Sequence, residues 1–258
     1  MIYQVKNLKF AYERDRTILN GVDFELDNGE LVTILGRNGA GKSTLFSCLL
    51  GLQKGVEGEI LLEGKDIRSL KERQIAAVVG FVPQVNTPSF GFTVFEFVLM
   101  GCASKIGLFS QPGAKEKEDA MTALEEMGIT DFADRSYADL SGGERQEVCI
   151  ARAIASKPKA ILFDEPTAHL DYSNQMKVLR IIKRLSEKGY AVAVTSHDPN
   201  HALMLGSKAA LFSMDGKISI GPVKETVTEE KLKAIYGSDL KIRYMEEFER
   251  NVCVYPSL

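Results

Sequence analysis

The segment that most constrains this chain is Gly36-Arg37-Asn38-Gly39-Ala40-Gly41-Lys42-Ser43, which fits the pattern G-x-x-x-x-G-K-[ST]. It follows Glu30-Leu31-Val32-Thr33-Ile34-Leu35, an almost wholly apolar run that reads as a strand buried on both faces. It precedes a predicted helix from Lys42 to about Leu50, with Leu45, Phe46 and Leu49 on one face and Gly51 as its stop. Strand, glycine turn and helix start in that order let backbone N–H groups curl around an anion, while the helix N-terminus adds its positive dipole end. Lys42 supplies a mobile charge for the β and γ phosphates, Ser43 a hydroxyl for Mg²⁺, and Thr44 a further hydroxyl. The segment therefore points to a nucleoside triphosphate held on an α/β core.

The flanking pattern is consistent with such a core. Val22, Phe24 and Leu26 alternate with Asp23 and Glu25 before a turn at Asp27-Asn28-Gly29, the mark of a half-buried antiparallel strand. From about 90 to 155 the character becomes helical, with Lys115 to Met127 and Gly142 to Ala155 carrying apolar residues at helical spacing. Beyond it the spacing predicts a strand at Ala160 to Phe163, a helix over Ser173 to Lys188 and a strand at Tyr190 to Thr195. A hairpin across Asp215-Gly216 and a short helix at Glu229 to Tyr236 follow.

Two further strand ends carry chemistry. Ile161-Leu162-Phe163 runs into Asp164-Glu165, which a parallel sheet delivers to the edge that also holds the phosphate loop. Alternation along a strand gives the two acids separate jobs: Asp164 to hold Mg²⁺ through water, Glu165 to polarise a water for attack on the γ-phosphate. The next strand ends in Ser196-His197-Asp198, where His197 is placed to donate to that phosphate; His201 reads as a polar residue of the following helix. Cys48, Cys102, Cys149 and Cys253 form no CxxC pair, so reduced thiols are expected, and three histidines are too few for a His-rich metal centre. With 35 acidic and 32 basic residues, the formal charge of −3 argues against a nucleic-acid partner. The N-terminus lacks the features of a signal peptide and no run nears roughly 18 apolar residues, so a cytoplasmic location is expected.

Leu140-Ser141-Gly142-Gly143-Glu144-Arg145-Gln146 cannot be a second phosphate loop for the same nucleotide, because it has no lysine. It has the chemistry of an anion site, with a serine hydroxyl, two glycines and a helix N-terminus. The same residues also read as an ordinary capped helix, Ser141 the cap and Glu144 closing a capping box. Taken together, the motifs resemble the ATP-binding cassette (ABC) ATPase family over residues 1 to about 225, with LSGGERQ as its signature. The resemblance implies an α/β fold: a P-loop NTPase (RecA-like) core with an N-terminal antiparallel β subdomain and an inserted α-helical subdomain, followed by a short extension over 226–258. It also implies that two copies pair head to tail, so that Ser141, Gly142, Gly143 and Glu144 of one close over the ATP held by Lys42 of the other. By the same resemblance Tyr12 stacks on adenine, Gln84 touches Mg²⁺ and the attacking water, and Glu165 is the catalytic carboxylate. His197 is then the switch histidine, and Asp171 belongs to the loop crossing the dimer interface. His169 departs from the serine-alanine form common at that loop.

Two stretches, Phe92 to Gly101 and Ser196 to Leu203, look like those of importers of iron–siderophore complexes, haem and vitamin B12. The resemblance then implies integral membrane permease subunits, an extracytoplasmic substrate-binding protein and a peripheral position on the cytoplasmic face of the cell membrane. Phe90-Gly91-Phe92-Thr93-Val94-Phe95 is an apolar candidate for the permease dock, although these side chains serve equally well as filling for the helical subdomain. A soluble non-transport ABC ATPase, such as a cluster-assembly factor, remains the alternative. A kinase or GTPase is opposed by Ser141 to Glu144 and by the lack of an NKxD motif.

Overall fold

The computed structural model of the protein describes residues 1–13, 16–84, 91–107 and 110–255. Its strands are β1 (Tyr3–Ala11), β2 (Thr17–Leu26), β3 (Leu31–Gly36), β4 (Glu57–Leu62), β5 (Lys65–Asp66), β6 (Val79–Val82), β7 (Ala160–Phe163), β8 (Ala191–Ser196), β9 (Lys208–Phe212), β10 (Ile218–Pro222), β11 (Lys241–Met245) and β12 (Arg250–Val254). The helices are α1 (Lys42–Leu49), α2 (Glu72–Val78), α3 (Val94–Leu99), α4 (Ala114–Met127), α5 (Gly142–Ala155), α6 (Tyr172–Glu187), α7 (Pro199–Leu205), α8 (Val223–Thr226) and α9 (Glu229–Tyr236).

The alternation read in Val22 to Leu26 places β2 in an antiparallel sheet of order β2-β1-β4-β5, with Val22, Phe24 and Leu26 buried and Asp23 and Glu25 exposed. This sheet is tied to α1 by the Tyr3 hydroxyl, which donates to the Leu49 carbonyl at 2.6 Å. The second sheet has the order β10-β9-β3-β8-β7-β6; β9, β3, β8, β7 and β6 run parallel and only β10 is antiparallel. Its central strands β3, β7 and β8 are buried along their whole length, as continuous apolar runs require. Period two then sorts their side chains between two cores. Ala160 and Leu162 pack with Val32, Ile34 and α1, whereas Ile161 and Phe163 pack with α5 and α6. The parallel sheet is thus covered on both faces.

In the helical part, α3 packs against α5 and α4, and α5 also contacts β6 and α6. The described residues of the candidate permease dock divide between surface and core: Gly91 and Phe92 are exposed, Thr93 and Phe95 half-buried and Val94 buried. Val94 and Phe97 are buried, Phe97 stacks on Tyr137 at 4.1 Å, and the Arg152 guanidinium lies 4.6 Å above the Phe97 ring. Phe95 packs against the same core and Phe92 is 37% exposed, while Phe90 lies outside the described residues. A helix of six residues needs its apolar side chains to secure it, which leaves few for a partner. Among the described residues no helix is long and apolar enough to cross a membrane. All four cysteines are free and buried.

The chain after Pro222 packs onto the core. Val223, Val227, Leu232, Leu240 and Cys253 form one apolar cluster with Leu35, Ala202 and Leu211. β11 and β12 pair as a hairpin, and Asn200 of α7 grips both backbone groups of one residue: its Nδ2 donates to the Cys253 carbonyl at 3.1 Å, and its Oδ1 accepts from the Cys253 N–H at 2.8 Å. At the other end Glu229 accepts from the Ile242 N–H and pairs with Lys241 and Arg243. Asn200→Ala is expected to raise amide hydrogen exchange across β11 and β12 while leaving the protection of α1 unchanged. Unaltered exchange in the hairpin would mean that the apolar cluster alone holds it.

Candidate functional site

The loop between β3 and α1 owes its course to glycine. Gly41 is the N-cap of α1 at φ +110°, and a Cβ there would lie 2.8 Å from Ile18 Cγ2 and 3.2 Å from the Ile18 carbonyl oxygen. Arg37, Asn38 and Gly39 are exposed along the turn, and Ala40 is buried beneath it. Lys42 is 4% exposed, so its ammonium must be fully partnered. It donates to the Gly36 carbonyl at 2.8 Å and to the Arg37 carbonyl at 3.2 Å, and lies 3.1 Å from Glu165 Oε1.

The acidic pair differs from the sequence expectation in its geometry. β7 ends at Phe163, and Glu165 has left the extended region with φ +45°, so strand alternation does not set the directions of Asp164 and Glu165. Their partners separate them instead. Thr195, fully buried at the end of β8, donates to Asp164 Oδ1 at 2.7 Å and accepts from the Glu165 N–H at 2.8 Å. Glu165 spans Lys42 through Oε1 and the His197 Nδ1 through Oε2, at 3.4 Å. The His197 hydrogen bond, followed by the Lys42 charge, overcomes partial burial and holds Glu165 down at about 2. The same bond raises His197 above its ordinary 6.5. Thr195 gave no signal in the sequence beyond its place next to Ser196-His197. His201 lies on the following helix, α7, as expected, but it is buried there: its Nδ1 lies 2.8 Å from Ser196 Oγ, and burial lowers its pKa.

Around the loop opens a cleft of about 590 Å³ lined by Tyr12, Asn38, Gly39, Gly41, Lys42, Ser43, Thr44, Gln84 and Glu165. Glu13, Arg16 and Ile18 complete the lining; the sequence reading passed over them, having taken only the aromatic of that stretch. Tyr12 is 60% exposed, with Phe10 edge-on at 4.9 Å and 85° and its hydroxyl 3.4 Å from Thr44 Oγ1. That leaves the ring available for stacking. Gln84 is exposed, with Nε2 3.3 Å from His169 Nε2.

Ser141, Gly142, Gly143, Glu144 and Asp171 are not among the residues lining this cleft. Ser141 caps α5, with the Glu144 N–H donating to its Oγ at 3.3 Å and Glu144 Oε2 accepting from the Ser141 N–H at 2.8 Å. This bears out the capping-box reading of the segment, with Ser141 and Glu144 closing it reciprocally. Glu144 is held at about 2, chiefly by the Ser141 N–H, then by the Ser141 side chain and by Arg135. Its carboxylate is committed to the helix start, which makes it a support of that start. Asp171 caps α6, accepting from the Asn174 N–H at 2.8 Å. Asn174 in turn stands where any Cβ on Gly143 would fall, its Oδ1 only 2.3 Å from that position.

For Mg²⁺, the residues at hand are oxygen donors of the right kind: the Ser43 hydroxyl and the Gln84 amide in the cleft, with the Asp164 carboxylate held by Thr195 behind Glu165. No group of three or more His, Cys, Asp or Glu is gathered as an all-protein cage among the described residues. That fits a cation held by one or two side chains together with substrate phosphates.

The profile of the ABC transporter family matches residues 19–168. An ATP-binding protein of Helicobacter pylori named for iron chelatin transport is 36% identical over 93% of this chain and 95% of its own length. The molybdate import ATP-binding protein MolC of Haemophilus influenzae is 34% identical over 95% of this chain and 92% of its own. Among solved structures, a transporter assigned to the metal-chelate type, in an inward-facing conformation, superposes with a TM-score of 0.86 at 33% identity, covering 98% of both chains.

The Glu165–His197 pair has a defined pH window. Glu165 is depressed from 4.5, so its contribution is complete above about 4.5 and fades as pH falls toward 2. His197 is raised, so its contribution is complete below 6.5 and fades as pH rises through its folded value. The pair is strongest between those limits, and Glu165→Gln is expected to return the His197 titration, followed by NMR, toward 6.5; an unmoved titration would disprove the link. Thr195→Val keeps the shape but strands the Asp164 carboxylate and the Glu165 N–H. It should lower stability to urea by about 1–3 kcal/mol.

Proposed function

The chain belongs to the ATP-binding subunits of ABC transporters, and on that premise we propose that it powers an importer of metal chelates of the iron–siderophore, haem or cobalamin type. The observation that carries the reading is the division of the phosphate-binding parts. One cleft holds the loop, Lys42 and Glu165, while the capped start of α5 is a second anion site outside it. Two copies set head to tail bring each α5 start over the other's cleft, so that ATP lies between Lys42 of one and Ser141 of its partner.

Each side chain then has a role derived from its surroundings. Tyr12 stacks on adenine, and the N–H groups from Gly36 to Thr44 cradle the phosphates. Ser43, Gln84 and Asp164 would hold Mg²⁺, which would supply neutralisation of phosphate charge. Glu165, ionised at any physiological pH, orients and polarises the attacking water. When Lys42 and His197 turn from Glu165 to the phosphates, the carboxylate loses both of the partners that depress its pKa and becomes a stronger base. Asp171 meets the partner across the interface.

A groove of about 360 Å³ between the core and the helical part, lined by Leu50, Leu52, Ile75, Phe81, Met100 and Arg152 among others, is the proposed seat of a permease helix. Leu52 and Met100 are exposed there at 59% and 42%. Met100 of this groove follows directly on α3, the helix into which the Phe90 to Phe95 run leads. The catalytic unit extends to about residue 225, with 226–258 as a packed extension. Delivery by an extracytoplasmic binding protein and a peripheral place on the cytoplasmic face complete the proposal. The relatives named for iron chelatin and molybdate support a metal-containing cargo and differ on which one.

Glu165→Gln is expected to keep ATP binding, lose steady-state hydrolysis and form an ATP-dependent dimer on gel filtration. Adding Ser141→Arg should abolish that dimer by filling the space over the γ-phosphate. Near wild-type turnover in Glu165→Gln would remove Glu165 from its role, and a persisting dimer would remove the shared site. Co-purification with a membrane subunit supports the transport reading; full activity without one favours the soluble alternative.

A further inference from the structure

The loop that joins β7 to α6 touches both halves of the phosphate-binding apparatus. At one end it reaches the nucleotide cleft, where His169 Nε2 lies 3.3 Å from Nε2 of Gln84, a residue of the cleft wall. An amide N–H donates, so in this pairing the imidazole Nε2 is the acceptor. The next residue, Leu170, lies against Gly142, and Asn174 in the first turn of α6 against Gly143, the glycines that open α5. The loop leading to these contacts is tightly wound. The Ala168 N–H donates to the Glu165 carbonyl at 3.0 Å, and the Leu170 N–H to that of Thr167 at 3.3 Å. Glu165 and His169 both have positive φ, +45° and +63°. Non-glycine residues are uncommon in that region and persist where the surroundings over-determine them.

We propose that His169 is a positioning residue: by its bond to Gln84 it ties the carboxamide in the nucleotide cleft to the loop that carries Asp171 toward the partner copy. Closure of the dimer moves this loop as a unit, and Gln84 is turned with it. The γ-phosphate end of the cleft thereby senses whether the partner is in place. The inference rests on the proposed role of Gln84 and adds to it the group that sets its orientation.

The test compares His169→Ala, His169→Gln, Gln84→Ala and the His169→Ala/Gln84→Ala double variant in the assembled transporter. Loss of one hydrogen bond that orients a reacting group predicts a kcat reduced about fivefold in His169→Ala, with KM for ATP changed by less than about twofold. His169→Gln, which restores an amide of similar reach, should recover most of the rate. The double variant should be no slower than Gln84→Ala alone, because the histidine acts only through Gln84. Additive losses, or an unchanged kcat in His169→Ala, would overturn the proposal, since a residue serving only the loop would act with or without Gln84.

A second readout is independent of turnover: the side-chain amide resonance of Gln84 in the isolated chain should move in His169→Ala and stay in place in a control such as Lys224→Ala. An unmoved resonance overturns the proposal even if the ATPase assay is silent. Absence of ATP hydrolysis in the wild-type assembly would instead count against the proposed function alone.

Discussion

A buried ammonium has to be surrounded by acceptors, and the arrangement around Lys42 meets that demand with groups from two separate strand ends. The Gly36 and Arg37 carbonyls come from the turn after β3, and the Glu165 carboxylate from the turn after β7. Between those strands runs β8, whose Thr195 hydroxyl fixes both Asp164 and Glu165. The position of the ammonium is therefore a property of the sheet's strand order, and the phosphate loop, the acids and His197 form one electrostatic unit because of it. Glu165 is one of the acceptors on Lys42, so anything that drew the ammonium away would act on Glu165.

The start of α5 is built differently. It is satisfied from within, by Ser141, Glu144 and Arg135, and needs no ligand to hold its shape. With no Cβ on Gly143, Asn174 of α6 stands where one would fall, and Asp171, the cap of α6, accepts from the Asn174 N–H, so the two helix starts are in contact.

Much of this was legible in short stretches of sequence. The phosphate loop was readable because G-x-x-x-x-G-K-[ST] reflects backbone geometry that few other residues tolerate, and α5 was readable from Gly142 to Ala155 because its cap and its period are local. The tail after Pro222 was not, since its helix was predicted but its hairpin depends on Asn200 and on an apolar cluster drawn from Leu35 to Cys253. An apolar run such as Phe92 to Phe97 is ambiguous for a related reason: it looks alike whether it faces a partner or its own core.

By itself the sequence determined the chemistry on offer, namely an anion-binding turn with its lysine, a strand ending in two acids, a histidine at a third strand end and a capped glycine helix start. These depend on residue type and on spacings of a few positions, which backbone sterics and hydrogen-bonding capacity translate directly into local form. The tertiary structure alone decided which of them meet. It inserted β8 between β3 and β7, brought Thr195 under both acids, set His197 against Glu165 and His169 against Gln84, and left the α5 start outside the cleft. Lateral strand order and loop contacts are fixed by burial summed over the whole chain, and no local segment carries that sum.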